Sequence, residues 1–168
     1  TEEQLKTVAD ILLNGGCGCF GLTEPNAGSD SAALKTKYKK EGEYYVINGR
    51  KGFITNGEIG DYIVLFATSD PSLRHKGISC FLVDMHSEGV SIGGHEEKMG
   101  CRTSVTNDVV FEDVKVPLKN LIGEEGKGMN IAMTSLGYTR PTSGAGAVGN
   151  AQYAFECAVD YSKIRTTF

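Results

Sequence analysis

The chain has 168 residues, of which 40% are hydrophobic and 23% charged, and its formal net charge is −4. This composition is ordinary for a globular protein, and the length allows one good core but is small for two independent ones. The charge gives no reason to expect a nucleic acid or an anionic membrane as a partner, no apolar run approaches the roughly 18 residues of a membrane span, and no signal peptide is visible.

The first predicted element is a helix over residues 1–13. Leu5, Val8 and Leu12 recur at helical spacing, and Asn14-Gly15-Gly16 ends the pattern. One apolar stripe on so short a helix needs another surface to pack on, so we expect it to be the end of a larger helical unit.

From Cys17 to about Val116 the sequence has the alternating and apolar runs that are typical of β-strands. Runs 62–67 and 78–83 predict central strands, and Asn48-Gly49 predicts a tight hairpin turn. The fold class that we predict is mainly β. It is an antiparallel β-sandwich or flattened barrel of about seven or eight strands, flanked by an N-terminal helix and a long C-terminal helix.

The long helix is predicted from Met129 onward, where the apolar period becomes helical. We expect Pro141 to kink this helix or to divide it in two, because proline has no amide hydrogen. Gly144-x-Gly146-x-x-Gly149 has the spacing of a dinucleotide-binding loop, but no strand precedes it. We therefore interpret these glycines as a place of close helix packing.

The segment 20–30 is a run of turn-forming residues after a short apolar strand. Pro25 fixes its own φ, Asn26 and Gly28 can take a positive φ, and Ser29 can bond nearby backbone. Such a loop presents N–H groups and hydroxyls in fixed directions, which suits a ring carbonyl or a phosphate. The alternative interpretation is a tight surface turn that binds nothing.

The order Thr23-Glu24-Pro25-x-Ala27-Gly28-Ser29-Asp30 resembles the flavin-contacting loop of the acyl-CoA dehydrogenase family, most closely its short- and medium-chain members. Later segments continue the resemblance in the family's order across the whole chain: Phe53-Ile54-Thr55-Asn56-Gly57, Lys98-Met99-Gly100-x-Arg102, 110–117, 120–128, Thr139-Arg140-Pro141 and Arg165-x-x-Phe168. The resemblance implies a fragment of a longer protein. Residues 1–16 would end an N-terminal helical domain, 17–128 would be the middle β domain, and 129–168 would be the first helix of a truncated C-terminal helical domain.

The resemblance further implies FAD-dependent α,β-desaturation of an acyl-CoA thioester, in which a carboxylate removes the α-proton and the flavin accepts the β-hydride. The implied FAD contacts are Phe20, Leu22, Thr23, Ser29, Phe53, Ile54, Thr55 and, reaching the FAD of a neighbouring subunit, Arg165. The implied substrate contacts are Ser29, Tyr138, Thr139 and Arg140. Phe53 stands where the family usually has Trp. Gly137 replaces an acidic residue of some medium-chain members, so the acyl-chain preference stays open.

The catalytic carboxylate of isovaleryl- and long-chain-type members would stand at Thr139, which cannot act as a base. Glu156 would lie roughly 25 Å further along a straight helix, and we interpret Glu24 as an acceptor that shapes its loop. We therefore expect no catalytic residue in this fragment and no activity from the fragment alone. The base should be a Glu in the absent part of the C-terminal bundle.

The implied partners are an acyl-CoA substrate, an electron-transferring flavoprotein, and further copies of the full-length protein in a dimer or tetramer. The five cysteines cannot all pair, so we interpret them as reduced thiols, which fits a bacterial cytoplasm or a mitochondrial matrix. No histidine or cysteine spacing predicts a metal site. Two alternatives remain: an acyl-CoA oxidase or flavin monooxygenase on the same fold, and a non-catalytic β-sandwich binding module.

Overall fold

A computed structural model of the chain describes all residues, Thr1–Phe168. In chain order the elements are α1 (Glu2–Leu13), β1 (Gly18–Gly21), β2 (Lys37–Glu41), β3 (Tyr44–Thr55), β4 (Tyr62–Thr68), β5 (Ile78–Asp84), β6 (Val90–His95), β7 (Thr106–Pro117), β8 (Leu121–Ile122) and α2 (Gly128–Ile164). Short 3-10 helices occupy Ser31–Ala33, Pro71–Lys76 and Leu118–Asn120. The prediction of seven or eight strands flanked by two helices is confirmed.

The eight strands form one mixed sheet in the order β6-β7-β3-β2-β4-β5-β8, with β1 paired to β4. Most ladders are antiparallel, but β1 pairs in parallel with β4 over Gly18–Gly21, and β2 pairs in parallel with it at Lys37 alone. Since β5 occupies one edge of β4, β1 and β2 share its other edge. Strands and α-helices cover similar numbers of residues, so the chain contains more helix than a mainly β description suggests.

One hydrophobic core joins the two halves of the sheet. It includes Ile47 and Ile54 of β3 together with Leu65 of β4 and Phe81 of β5, all at most 1% exposed. Tyr45 lies edge-on to Phe81, with 5.0 Å between the ring centroids. Burial of large apolar side chains such as these is the main stabilising contribution in a domain of this size.

Helix α1 begins with a capping box, in which the Thr1 hydroxyl accepts from the Gln4 amide and the Gln4 side chain accepts from the Thr1 amine. The Gln4 side-chain nitrogen also donates to the carbonyls of Lys119 and Leu121, both at 2.8 Å. This second contact attaches the helix to the turn between β7 and β8.

The hairpin predicted at Asn48-Gly49 is wrong, because β3 runs through both residues without turning. The β3–β7 register shifts between Ile47 and Gly49, so the pair forms a bulge. The Asn48 side chain both donates to the Asp113 carboxylate and accepts from the Asp113 amide, each at 2.9 Å. Pairing with β7 therefore replaces the local turn preference of Asn-Gly. The reversal between β2 and β3 occurs at Gly42, whose φ is 57°.

A second bulge interrupts β3 between Lys51 and Ile54. Phe53 lies inside it with φ of 56°, a conformation that costs a non-glycine residue about 1 kcal/mol or more. Phe53 is 63% exposed, whereas Lys51 and Ile54 on either side are buried. The bulge thus turns one aromatic side chain out of the sheet.

The chain divides into two compact units, Thr1–Ile131 and Ala132–Phe168. Helix α2 continues through Pro141, so the expected division into two helices does not occur. The hydroxyls of Thr142 and Ser143, just after the proline, donate to carbonyls one turn back, at 3.2 and 3.1 Å. Gly144, Gly146 and Gly149 lie inside this helix and not in a strand-to-helix turn. Neither α-helix has the length and hydropathy that a membrane span requires.

Candidate flavin site

The loop after β1 is held by its own backbone and by one distant arginine. Glu24 and Ala27 exchange backbone hydrogen bonds of 3.1 and 3.0 Å, which closes the turn around Pro25. At the far end, the Arg74 guanidinium donates to both carboxylate oxygens of Asp30 at 2.7 Å. Arg74 has a positive φ of 50°, outside the helical conformation of its neighbours. The loop therefore has a defined shape at both ends.

Glu24 and Lys51 form a buried ion pair beneath this loop. The Lys51 ammonium lies 2.8 Å from a Glu24 carboxylate oxygen, and the two side chains are 0% and 7% exposed. The carboxylate also accepts from the amides of Lys35 and Thr36, at 2.6 and 2.9 Å. Lys51 donates in addition to the Leu22 carbonyl at 3.2 Å. Both charges are thus paired and hydrogen-bonded, which is the condition for burying them.

The two partners respond to burial in different ways. Burial lowers the pKa of Lys51 from 10.5 to about 8, and the attraction of Glu24 opposes that shift. Burial alone would raise the pKa of Glu24, but Lys51 and the hydrogen bonds from 35–36 together hold it below its ordinary value of 4.5. At neutral pH both groups are therefore charged.

Three contacts join β1 and its loop to the end of β3. The Gly52 amide donates to the Thr23 carbonyl at 2.9 Å, and the Asn56 side chain donates to the Gly18 carbonyl at 3.3 Å. Lys51 supplies the third contact, to Leu22. The structure therefore brings together the two predicted flavin segments, 20–30 and 53–55, which are distant in sequence.

The predicted flavin residues differ in what they expose. Phe20 and Phe53 are 38% and 63% exposed, and Phe20 is supported from behind by Phe66 at 5.2 Å between ring centroids. Thr23 is half-buried, while Thr55 and Ser29 are exposed. The side chains of Leu22 and Ile54 are buried, at 6% and 1%, so neither side chain is exposed to a ligand.

This surface fits the ring system of a flavin. An isoalloxazine ring has apolar edges, which the rings of Phe20 and Phe53 can cover, and polar ring atoms that need hydrogen bonds. The hydroxyls of Thr23, Thr55 and Ser29 form no hydrogen bond within the chain, and neither does the Thr23 amide. Free donors beside exposed aromatic rings are the combination that such a ligand requires.

The remaining predicted residues lie on the second unit. Tyr138, Thr139 and Arg140 are consecutive and exposed on α2, where the Thr139 hydroxyl donates to the Leu136 carbonyl at 3.3 Å. Arg165 follows the last residue of α2, and its amide donates to the Tyr161 carbonyl at 3.0 Å. Neither arginine forms an ion pair within the chain, so both guanidinium groups remain available.

The sequence interpretation missed Lys51, Gly52 and Arg74. A lysine in an exposed hairpin is unremarkable, and the hairpin wrongly predicted at Asn48-Gly49 removed any reason to place Lys51 inside. The position of Lys51 among the inward-facing residues of β3 could have indicated its burial. That alternation can be followed along the strand only when the bulge at Asn48-Gly49 is known.

Two family profiles match the chain, in the order of the sequence. The middle domain of acyl-CoA dehydrogenase matches residues 19–114, and the C-terminal domain of acyl-CoA dehydrogenase matches residues 126–168. The first match alone covers more than half of the chain and contains both segments of the candidate site.

Curated relatives and solved structures agree with these matches. The short-chain specific acyl-CoA dehydrogenase of Clostridium acetobutylicum is 48% identical over 100% of this chain and 45% of its own length. Subunit CarC of the caffeyl-CoA reductase-Etf complex of Acetobacterium woodii is 43% identical over the same shares of the two chains. Butyryl-CoA dehydrogenase of Megasphaera elsdenii superimposes with a TM-score of 0.94 at 44% identity, over 100% of this chain and 44% of its own.

The chain spans less than half the length of these relatives. The fold, the two matched domains and the identities confirm the resemblance that the motifs predict. The chain therefore belongs to the acyl-CoA dehydrogenase family of flavoprotein oxidoreductases, resembles its short-chain members, and comprises the middle domain and the start of the C-terminal domain.

Proposed function

We propose that this chain supplies the flavin-binding wall of an FAD-dependent enzyme that desaturates an acyl-CoA thioester between its α and β carbons. The observation that carries the proposal is the junction of β1, its loop and the bulge of β3. That junction presents Phe20, Phe53, Thr23 and Thr55 on adjoining segments. Bound FAD would supply the hydride acceptor, and the residues of the chain bind and orient it.

Each residue has a role that its exposure and bonding support. The rings of Phe20 and Phe53 pack against the apolar edges of the cofactor. The amide of Thr23 and the hydroxyls of Thr55 and Ser29 donate to its polar atoms. Leu22 and Ile54 contribute backbone groups, since their side chains belong to the interior. In the same proposal Ser29, Tyr138, Thr139 and Arg140 contact the substrate, and Arg165 contacts the FAD of a neighbouring copy.

We infer that none of these residues is the catalytic base. Glu24 is ion-paired, nearly fully buried and held at a lowered pKa. A base has to reach the α-proton and to gain a proton readily, and Glu24 can do neither while it binds Lys51. Thr139 has no ionisable group. The base would therefore be a carboxylate elsewhere in the enzyme that contains this chain.

The experiment that tests the function uses the longest form of the protein. It should purify yellow with a flavin spectrum, and anaerobic addition of a short acyl-CoA should bleach that spectrum. A colourless protein that takes up no FAD would overturn the proposal and leave the non-catalytic binding module. Bleaching followed by stoichiometric peroxide release would favour the oxidase alternative over the dehydrogenase.

A second direction of reaction is supported by one relative. CarC belongs to a complex named a caffeyl-CoA reductase with Etf, at 43% identity to this chain. An electron-transferring flavoprotein is therefore the electron partner that we propose, as donor or as acceptor. Assays with an acyl-CoA and with its 2-enoyl counterpart, each against reduced and oxidised flavoprotein, distinguish the two directions.

A further inference from the structure

Lys51 contacts the flavin-site backbone at one specific place. Its ammonium donates to the Leu22 carbonyl at 3.2 Å and to Glu24 at 2.8 Å, and the side chain has no exposed surface. The Leu22 carbonyl and the Thr23 amide belong to the same peptide group. The buried charge therefore bears directly on the peptide that carries the unpartnered Thr23 N–H.

A cation at a carbonyl oxygen polarises the whole peptide group. Electron density moves toward the oxygen, so the N–H of that peptide becomes a stronger donor, as in other chains of hydrogen bonds at low local dielectric. The pair with Glu24 is neutral overall, and its carboxylate is already shared with two amides. Lys51 thus affects the flavin site at short range, through the Leu22–Thr23 peptide, and not through a long-range electrostatic field.

The same peptide is also fixed in direction. The Leu22 carbonyl accepts from Lys51, so rotation of the Leu22–Thr23 peptide would break that bond. The Thr23 carbonyl, which belongs to the next peptide, accepts from Gly52 at 2.9 Å and holds the other side of Thr23. Thr23 is half-buried, and its amide has no partner within the chain. The amide is therefore a strengthened donor of fixed direction that no group of the chain uses.

We propose that Lys51 is a positioning residue that holds and polarises the Leu22–Thr23 peptide, so that the Thr23 amide binds an electron-rich atom of the flavin more strongly when the flavin is reduced. This inference rests on the proposed flavin site. Because reduction adds negative charge to the ring, a stronger donor favours the reduced form and raises the reduction potential of the bound cofactor.

The test compares Lys51→Met, Glu24→Gln and the double variant Lys51→Met/Glu24→Gln in the FAD-loaded protein. Lys37→Met is the matched control, because Lys37 is an exposed lysine without a side-chain partner. Each single variant leaves one buried group unpaired and is expected to have a lower melting temperature than the unaltered protein. The double variant removes both charges together, so its melting temperature should return most of the way to that of the unaltered protein.

The reduction potential of the bound FAD distinguishes a positioning role of Lys51 from a role in stabilising the fold. We expect FAD to bind Lys51→Met at least about tenfold more weakly, and its potential to become more negative. The double variant should recover stability while its potential stays as low as that of Lys51→Met. A double variant with full FAD content and the potential of the unaltered protein would overturn the proposal, because the fold alone would then set the potential.

A cofactor-free measurement keeps this outcome distinct from failure of the proposed function. In the 1H–15N correlation spectrum of the apoprotein, the Thr23 amide proton should shift upfield in Lys51→Met and in the double variant, but not in Lys37→Met. An unchanged Thr23 shift would refute the polarisation even in a protein that binds no FAD. Weak FAD binding by every form, with the expected Thr23 shift, would instead count against the flavin site.

Discussion

Glu24 and Lys51 are the residues whose removal should affect stability most sharply. Breaking a buried ion pair by deleting one partner typically costs about 3–5 kcal/mol, whereas replacing both can be nearly neutral. The pair has no exposed route to water, since Lys51 is fully buried and Glu24 is 6% exposed. Their charges therefore have to be removed together if the fold is to keep its stability.

The first prediction concerns acid. Glu24 has a folded pKa below its ordinary 4.5, so the unfolded chain binds its proton first. The stability from this group is complete above pH 4.5 and is lost as pH falls through the lowered folded pKa. In Lys51→Met, burial dominates and the pKa of Glu24 should instead rise. The difference in unfolding free energy between the two proteins should therefore shrink on acidification, as measured by urea unfolding between neutral pH and about pH 4.

Glu24→Gln is the control for that measurement, because its position 24 does not titrate. A constant gap between the unaltered protein and Lys51→Met across the same pH range would contradict the prediction. It would mean that Glu24 keeps its charge without Lys51.

The second prediction concerns Thr55, whose hydroxyl is exposed and unpartnered. Thr55→Val keeps the shape and the ladder position opposite Thr106 but removes the donor. One lost hydrogen bond to the reacting cofactor is worth about 1–3 kcal/mol, which slows reduction roughly 5- to 150-fold. Stopped-flow reduction of the flavin by an acyl-CoA, in the full-length protein that contains this chain, measures the effect. Unchanged reduction rates at normal flavin content would show that the Thr55 hydroxyl does not bind the reacting cofactor.

At the scale of single residues, the sequence suggested candidate flavin contacts, which stay a prediction, but it did not suggest the buried residues beneath them. Thr23 and Thr55 stand in recognisable motifs, and Phe20 and Phe53 adjoin them. Lys51 was not predicted, because a charged residue in a strand is read as solvent-facing unless its partner is known. Glu24, its partner, is 27 residues away in sequence, and no local pattern links the two.

At the scale of elements, the structure departs from local preference in two places. Asn48-Gly49 has the strongest local turn signal in the chain, yet its side-chain contacts to Asp113 of β7 keep β3 continuous. Pro141 is a strong helix breaker, yet α2 continues through it. By contrast, the strand runs 62–67 and 78–83 were predicted correctly, because their signals agree with the pairing that they enter.

The third prediction concerns the glycines of α2. A methyl group added at Gly146 would meet no atom within 4 Å, so Gly146→Ala should raise the local opening free energy of the helix by about 1 kcal/mol. Amide hydrogen exchange of residues around 146 measures it. At Gly128, near the start of the same helix, a methyl carbon would lie 2.5 Å from the Ser79 backbone, so Gly128→Ala should destabilise the protein. Equal effects at both sites would contradict the prediction.

At the scale of the whole molecule, the fourth prediction is that this chain alone holds FAD weakly. The proposed contact Arg165 lies on the second unit and, by the family resemblance, reaches a cofactor bound to another copy. Equilibrium dialysis should therefore find weak binding at low chain concentration and tighter binding where copies associate. Arg165→Met should abolish that concentration dependence. Tight, stoichiometric FAD on a chain that sediments as a monomer would rule the prediction out.

The topology of β3 has a consequence for synthesis on the ribosome. One edge of β3 pairs early with its neighbour β2, but the other waits for β7, whose first residue opposite Thr55 is Thr106. At 5–20 residues per second, that edge stays uncovered for roughly 3–10 s. Open strand edges invite pairing with other nascent chains, and charged residues discourage it. Arg50 and Lys51 give β3 two positive charges while this edge is uncovered, and such charges oppose the edge-to-edge pairing that leads to aggregation.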